Sequence, residues 1–174
     1  MRQPLLPLLP LFIALGLGGC ASTYQSQVVT APGAKLDRTQ PVLIATPKMG
    51  SFEHKDYPES GRQTAEALHV AFARFSNRVV VSAPCADLAC LQAEPAGRSG
   101  YLVVPEILHW EDRNTEWSGL PDRIEIKVLV TDARSGREVA AIVLTGKSKW
   151  ATFGGDHPQD LLPEPVKQYV DSLY

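Results

Sequence analysis

Twelve residues near the middle of the chain, "LHWEDRNTEWSG" (Leu108 to Gly119), hold His109, the acids Glu111, Asp112 and Glu116, Arg113, and the tryptophans Trp110 and Trp117. A histidine beside carboxylates can move protons near neutral pH, so His109 with Asp112 or Glu116 could form a general acid–base pair. Hydrolysis by covalent catalysis would also need an activated nucleophile, and the chain contains no G-x-S-x-G turn. Metal binding would draw on His109, Glu111 and Glu116, with His157 from "GGDHP". That spacing matches no recognised ligand pattern, and one histidine among scattered acids makes a poor zinc site. Charge of this density is also common on a solvated hairpin, with the tryptophans serving as core. Arginine and tryptophan at exposed turns are equally the chemistry of a recognition surface. Sequence leaves these uses open. The candidate interaction surface comprises His109, Trp110, Glu111, Asp112, Arg113, Glu116 and Trp117, joined by Trp150, Asp156 and His157.

The second polar concentration, "GKSKWATFGGDHPQD" (146–160), carries Lys147 and Lys149 on an outer strand, where lysine blocks edge pairing. Gly154-Gly155 gives the backbone freedom but lacks the remaining glycines and the lysine–serine or lysine–threonine pair of a phosphate cradle. No cofactor is implied.

One cysteine has a clearer use. Arg2 precedes an apolar run from Leu5 to Leu17, broken by Pro7 and Pro10 and too short for a comfortable membrane span. It ends in Leu17-Gly18-Gly19-Cys20, which resembles the lipobox of bacterial lipoproteins. That resemblance implies removal of residues 1–19 and acylation of Cys20, which holds a protein on a bilayer without a spanning helix. Ala21 follows, where inner-membrane retention would call for aspartate, so the expected address is the outer membrane facing the periplasm. Residues 20–40 are expected to be a flexible tether, with a coil span of about 25 Å.

The remaining cysteines, Cys85 and Cys90, are five apart. On a regular helix their Cα atoms would stand roughly 8–9 Å apart, beyond disulfide reach, so a bond requires Cys85 to precede the helix. Pro84 and an N-cap at Asp87 allow that. A structural disulfide is the expectation; two buried thiols or a redox pair are the alternatives.

The 174-residue chain has a net charge of −2 and 44% apolar residues, enough for a single globular core and without the basic stripe that nucleic acid requires. "PVLIATP" and "RVVVS" read as buried strands. Ser60 to Gln63 reads as a capping box opening a helix whose Ala65, Leu68, Phe72 and Phe75 share a face. A short helix is expected over 87–94. Residues 101–112 read as a strand with Pro105 at an edge or bulge. Ile124, Ile126, Val128 and Val130 alternate with Arg123, Glu125 and Lys127 in the next strand. A hairpin at Ala133 to Gly136 returns the chain through 137–153, and a final helix carries Val166, Tyr169, Val170 and Leu173. The predicted architecture is α/β (α+β): one domain over 41–174, in the order β-α-β-α-β-β-β-α. It is a two-layer sandwich with a mixed five-stranded sheet and helices on one face.

"LVVPEILHWEDRNTEWSGLPDRIEIKV", "GKSKWATFGGDHPQDLLPEPV", "IATPKMGSF" and "YVDSLY", with the lipobox, resemble a family of Gram-negative lipoproteins catalogued as domain of unknown function 4823. The resemblance implies one periplasmic α/β domain on a lipid anchor and brings no substrate or catalytic residue. A looser likeness, of architecture only, is to lipoproteins that dock on envelope machinery, such as activators of cell-wall synthases or subunits of secretion and polysaccharide-export assemblies. The expected function is non-catalytic binding of an envelope protein, with self-association left open. The alternatives are a hydrolase or metal-dependent enzyme built on His109, Glu111, Asp112, Glu116 and His157, and a small-molecule binding module.

Overall fold

A computed structural model describes residues 22–113, 120–149 and 157–174. Cys20, Glu116, Trp117, Trp150 and Asp156 lie outside them. The elements are β1 (Thr23–Thr30), β2 (Val42–Ala45), β3 (Gly50–Phe52), β4 (Lys55–Tyr57), α1 (Ser60–Ala73), β5 (Val79–Ser82), α2 (Leu88–Ala93), β6 (Tyr101–Glu111), β7 (Arg123–Asp132), β8 (Glu138–Lys147) and α3 (Pro163–Leu173). Short 3-10 turns precede β6, at Pro95–Arg98, and α3, at Pro158–Leu161.

The expected α+β class holds, with a mixed sheet of six strands instead of five, in the order β1-β8-β7-β6-β2-β5. β2 is parallel to both β5 and β6, as its βαβ crossovers require, while β6, β7 and β8 form the antiparallel meander. The sixth strand comes from the segment expected to be a flexible tether. Thr23–Thr30 runs antiparallel to β8 along the sheet edge. Its side chains are mostly exposed, and it is held through the main-chain ladder, so neither an alternating nor a helical pattern marks it. Downstream, Leu36 is buried and its N–H donates to the Leu173 carbonyl at 2.8 Å, so the folded unit begins well before Pro41.

The main core lies between the sheet and α1 with α3. Leu68 and Phe72 from α1, and Val166, Val170 and Leu173 from α3, pack on Ile44, Val103, Ile126, Val128, Val130 and Leu144. Each fully enclosed side chain of this kind stabilises by about 1.5–3 kcal/mol. The alternation expected for β7 is observed, with Ile124, Ile126, Val128 and Val130 inside.

Helices do not keep to one face, as had been expected. β2 is buried along its whole length, so its odd side chains also need cover. Leu43 and Ala45, with Leu102, pack against Cys85 and Leu91 on the opposite face. Cys85 and Cys90 are bonded, with Cα atoms 5.3 Å apart, and the Asp87 carboxylate caps α2 by accepting from the Cys90 N–H at 2.9 Å. Cys85 precedes the helix, as the spacing argument demands.

The Ser60–Gln63 capping box does not form. Ser60 sits inside α1, and its hydroxyl instead accepts from the Gly50 N–H at 2.7 Å and donates to the Tyr57 carbonyl at 2.6 Å. These bonds fix the β3–β4 hairpin, which runs beside β6 where β2 has ended, since β2 pairs only with Tyr101 to Val103. The approach is close: a Cβ on Gly50 would stand 2.7 Å from Trp110 Cβ and 2.8 Å from Ile107 Cγ2. Gly50→Ala should therefore cost about 1–3 kcal/mol through overpacking. Urea unfolding would show this as a lowered midpoint with an unchanged slope.

Candidate functional site

Pro105 anticipates an irregularity that matters for the polar stretch. Ile107 faces Ile126 and His109 faces Glu125, so Leu108 is an extra residue, a β-bulge. The bulge shifts the alternation by one. Before it, Val103 and Ile107 point into the main core; after it, Trp110 opposite Ile124 does so. Trp110 is 2% exposed, which makes it a core side chain and removes it from the candidate interaction surface. His109 and Glu111 are turned to the other side.

Glu111 is nearly enclosed, at 3% exposure. One carboxylate oxygen meets His109 Nε2 at 2.9 Å, and the other accepts from Arg113 Nε. Burial alone would raise its carboxyl; the hydrogen bonds to His109 and Arg113, with their charges, outweigh that and hold it below the ordinary carboxylate range. Phe52 closes this group from the hairpin, with its ring edge-on to His109 at 5.0 Å and beneath the Arg113 guanidinium at 5.5 Å. Burial also removes Glu111 from the accessible surface.

Asp112 points the other way and gathers a second group. Its carboxylate lies 3.6 Å from both Lys55 Nζ and His157 Nδ1, and its N–H donates to the Tyr57 hydroxyl at 3.2 Å. The sequence separation of His109 and Glu111 from Asp112 by face is thus observed. What brings the two groups to one end is the common terminus of β6 and the start of β7. Phe52, Glu53, His54, Lys55, Tyr57, Glu111, Asp112 and Arg113 line an open groove of about 400 Å³ there.

Sequence reasoning missed a third acid, Asp122, and its partner Ser148. Asp122 is fully buried. Its carboxylate accepts from the Arg113 N–H at 2.6 Å and from Ser148 Oγ at 3.4 Å, and its own N–H donates to Ser148 Oγ at 2.9 Å. Burial pushes its carboxyl up, against the hydrogen bond from Arg113, and the neighbouring Asp112 charge adds to the rise. A group with a raised folded-state pKa stabilises below its ordinary value and loses that contribution as pH rises through the folded one. Asp122→Asn keeps the shape and an acceptor oxygen. Its stability relative to the parent should therefore be higher at neutral pH than in acid, measurable by denaturant unfolding at both. A gain confined to acid would contradict the burial argument.

Among the described residues, no three His, Cys, Asp or Glu side chains are arranged to hold a metal ion. None of their helices is long and apolar enough to cross a membrane.

The fold and this polar end define an α+β domain with a mixed six-stranded sheet, helices on both of its faces and a salt-bridged strand terminus. The chain belongs to the family described as "Domain of unknown function (DUF4823)", whose model matches residues 34–173. No curated protein matches it. Its fold is similar to that of the PelC dodecamer from Paraburkholderia phytofirmans, at a TM-score of 0.63 and 14% identity, covering 87% of this chain and 96% of that one. It is also similar to protein XCC0632 from Xanthomonas campestris, of family DUF330, at a TM-score of 0.50 and 11% identity, covering 84% and 91%. At such identities the likeness is one of fold.

Proposed function

We propose that the chain is an outer-membrane lipoprotein, anchored through an acylated Cys20, whose periplasmic domain works by binding an envelope protein and not by catalysis. The observation that carries the binding reading is how the acids of the polar end are used. Glu111 is committed to His109 and Arg113, and Asp122 to Ser148 and the Arg113 backbone. Groups bound to one another in this way stiffen a strand terminus; a general base instead needs a lone pair open to substrate. The lipobox supports the anchor. PelC, solved as a dodecamer, supports a domain of this fold working in contact with other domains, copies of itself included.

Cys20→Ser should shift the protein from the membrane to the soluble periplasmic fraction and remove the acyl mass from the intact chain. A variant that stays membrane-bound with unchanged mass would refute the anchor. Cross-linking at native abundance, followed by purification, should give a complex of defined stoichiometry; recovery of the lone monomer would refute the binding role.

The second reading, an envelope hydrolase or metal-dependent enzyme, is favoured by the convergence of His109, Glu111, Asp112 and His157 at one end. It predicts that added Zn²⁺ raises the unfolding temperature and that His157→Ala abolishes the rise.

A further inference from the structure

The register of the sheet places the anchor's exit. Thr23 pairs with Lys147, Lys147 with Arg123, and Arg123 with Glu111, so these four residues form one row across β1, β8, β7 and β6. At about 4.8 Å per strand, Lys147 and Arg123 lie roughly 5 and 10 Å from Thr23. Cys20 precedes Thr23 by three residues, which can span no more than about 11 Å. The long spacer expected before the domain is therefore taken up by β1. A lipid on Cys20 holds this end of the sheet near the bilayer.

The charges on the row are sorted by depth. Glu111 on the row and Asp122 just before it are buried, while Arg123 and Lys147 are exposed and, among the described residues, form no ion pair. Lys55 and His157, with side chains 61% and 57% exposed, both lean on Asp112. Exposed acids are also present on the hairpin: Glu53, which lines the groove, and Asp56. The parts of the row nearest the exit of the chain are thus cations with free valence for phosphate oxygens.

We infer that the Thr23–Lys147–Arg123 row is the membrane-facing surface of the domain, and that Lys147 and Arg123 meet phospholipid headgroups. This rests on the acylated Cys20 proposed above. It assigns the strand ends to the bilayer and turns the far Ser135-Gly136 turn away from it.

The test uses the full acylated chain in phosphatidylethanolamine–phosphatidylglycerol vesicles carrying a headgroup nitroxide. A thiol-reactive fluorophore is placed in turn at Lys147→Cys, Arg123→Cys and Ser135→Cys. β8 separates Lys147 from the turn by about 30 Å, so the positions report different heights. Labels at Lys147→Cys and Arg123→Cys should lose most of their emission and the label at Ser135→Cys little. Flotation and intact mass are read on the same samples. If the chain floats with its acyl mass but the row labels stay bright, or the turn is quenched as strongly, the inference fails and the anchor stands. If the acyl mass is missing and the chain does not float, the anchor fails and the inference falls with it.

Discussion

Trp110→Ala is expected to cost about 3–5 kcal/mol of stability, the range for truncating a large enclosed aromatic. The side chain is 2% exposed and packs with Ile124 in the main core, and a Cβ on Gly50 would stand only 2.7 Å from its own Cβ. Removing it empties the space between β6, β7 and the β3–β4 hairpin, where Gly50 offers no side chain to collapse into the hole. The midpoint of urea unfolding should fall sharply at an unchanged slope. A loss below about 1 kcal/mol, the range of surface substitutions, would mean that this tryptophan is not core.

Glu111→Ala is expected to cost about 2 kcal/mol at neutral pH, less than the 3–5 kcal/mol typical of a fully buried pair. The difference lies in the groups left behind: the His109 and Arg113 side chains keep 30% and 33% of their exposure, so solvent partly replaces the lost carboxylate. The pH dependence has a fixed sign. The folded-state carboxyl sits below its ordinary value of 4.5, so its contribution is complete above that value and disappears as pH falls through the lower, folded one. Asp37, Asp132 and Asp171 are lowered as well, by their own hydrogen bonds, so only the difference between parent and variant isolates Glu111. That difference should be flat near neutrality and shrink on acidification. A difference that grows in acid would remove Glu111 as the cause.

Elements with a regular apolar period were legible in the chain. Ala65, Leu68 and Phe72 announced α1, and Ile124 to Val130 announced β7, because each buries a single face. β1 was not legible: "TYQSQVVT" buries almost nothing, and its pairing with β8 depends on main-chain groups more than a hundred residues away. β2 misled for the opposite reason. A run buried on both faces fits cover on either side, and nothing local says that the Cys85–Leu91 segment supplies the second. At the polar end, the i, i+2 spacing of His109 and Glu111 showed their shared face. Asp122 and Ser148 were invisible as partners, since the meander and not the local sequence brings them together. An acid immediately before a strand, in "LPD", was the one hint available.

The Cys85–Cys90 clip gives maturation a direction. Leu43, Leu102 and Leu91 are shielded by a segment that a bond between thiols pins in place, and that bond persists only in an oxidising compartment. Reduction would leave two thiols there and would free the cover over Leu43, Leu102 and Leu91 from its covalent clip.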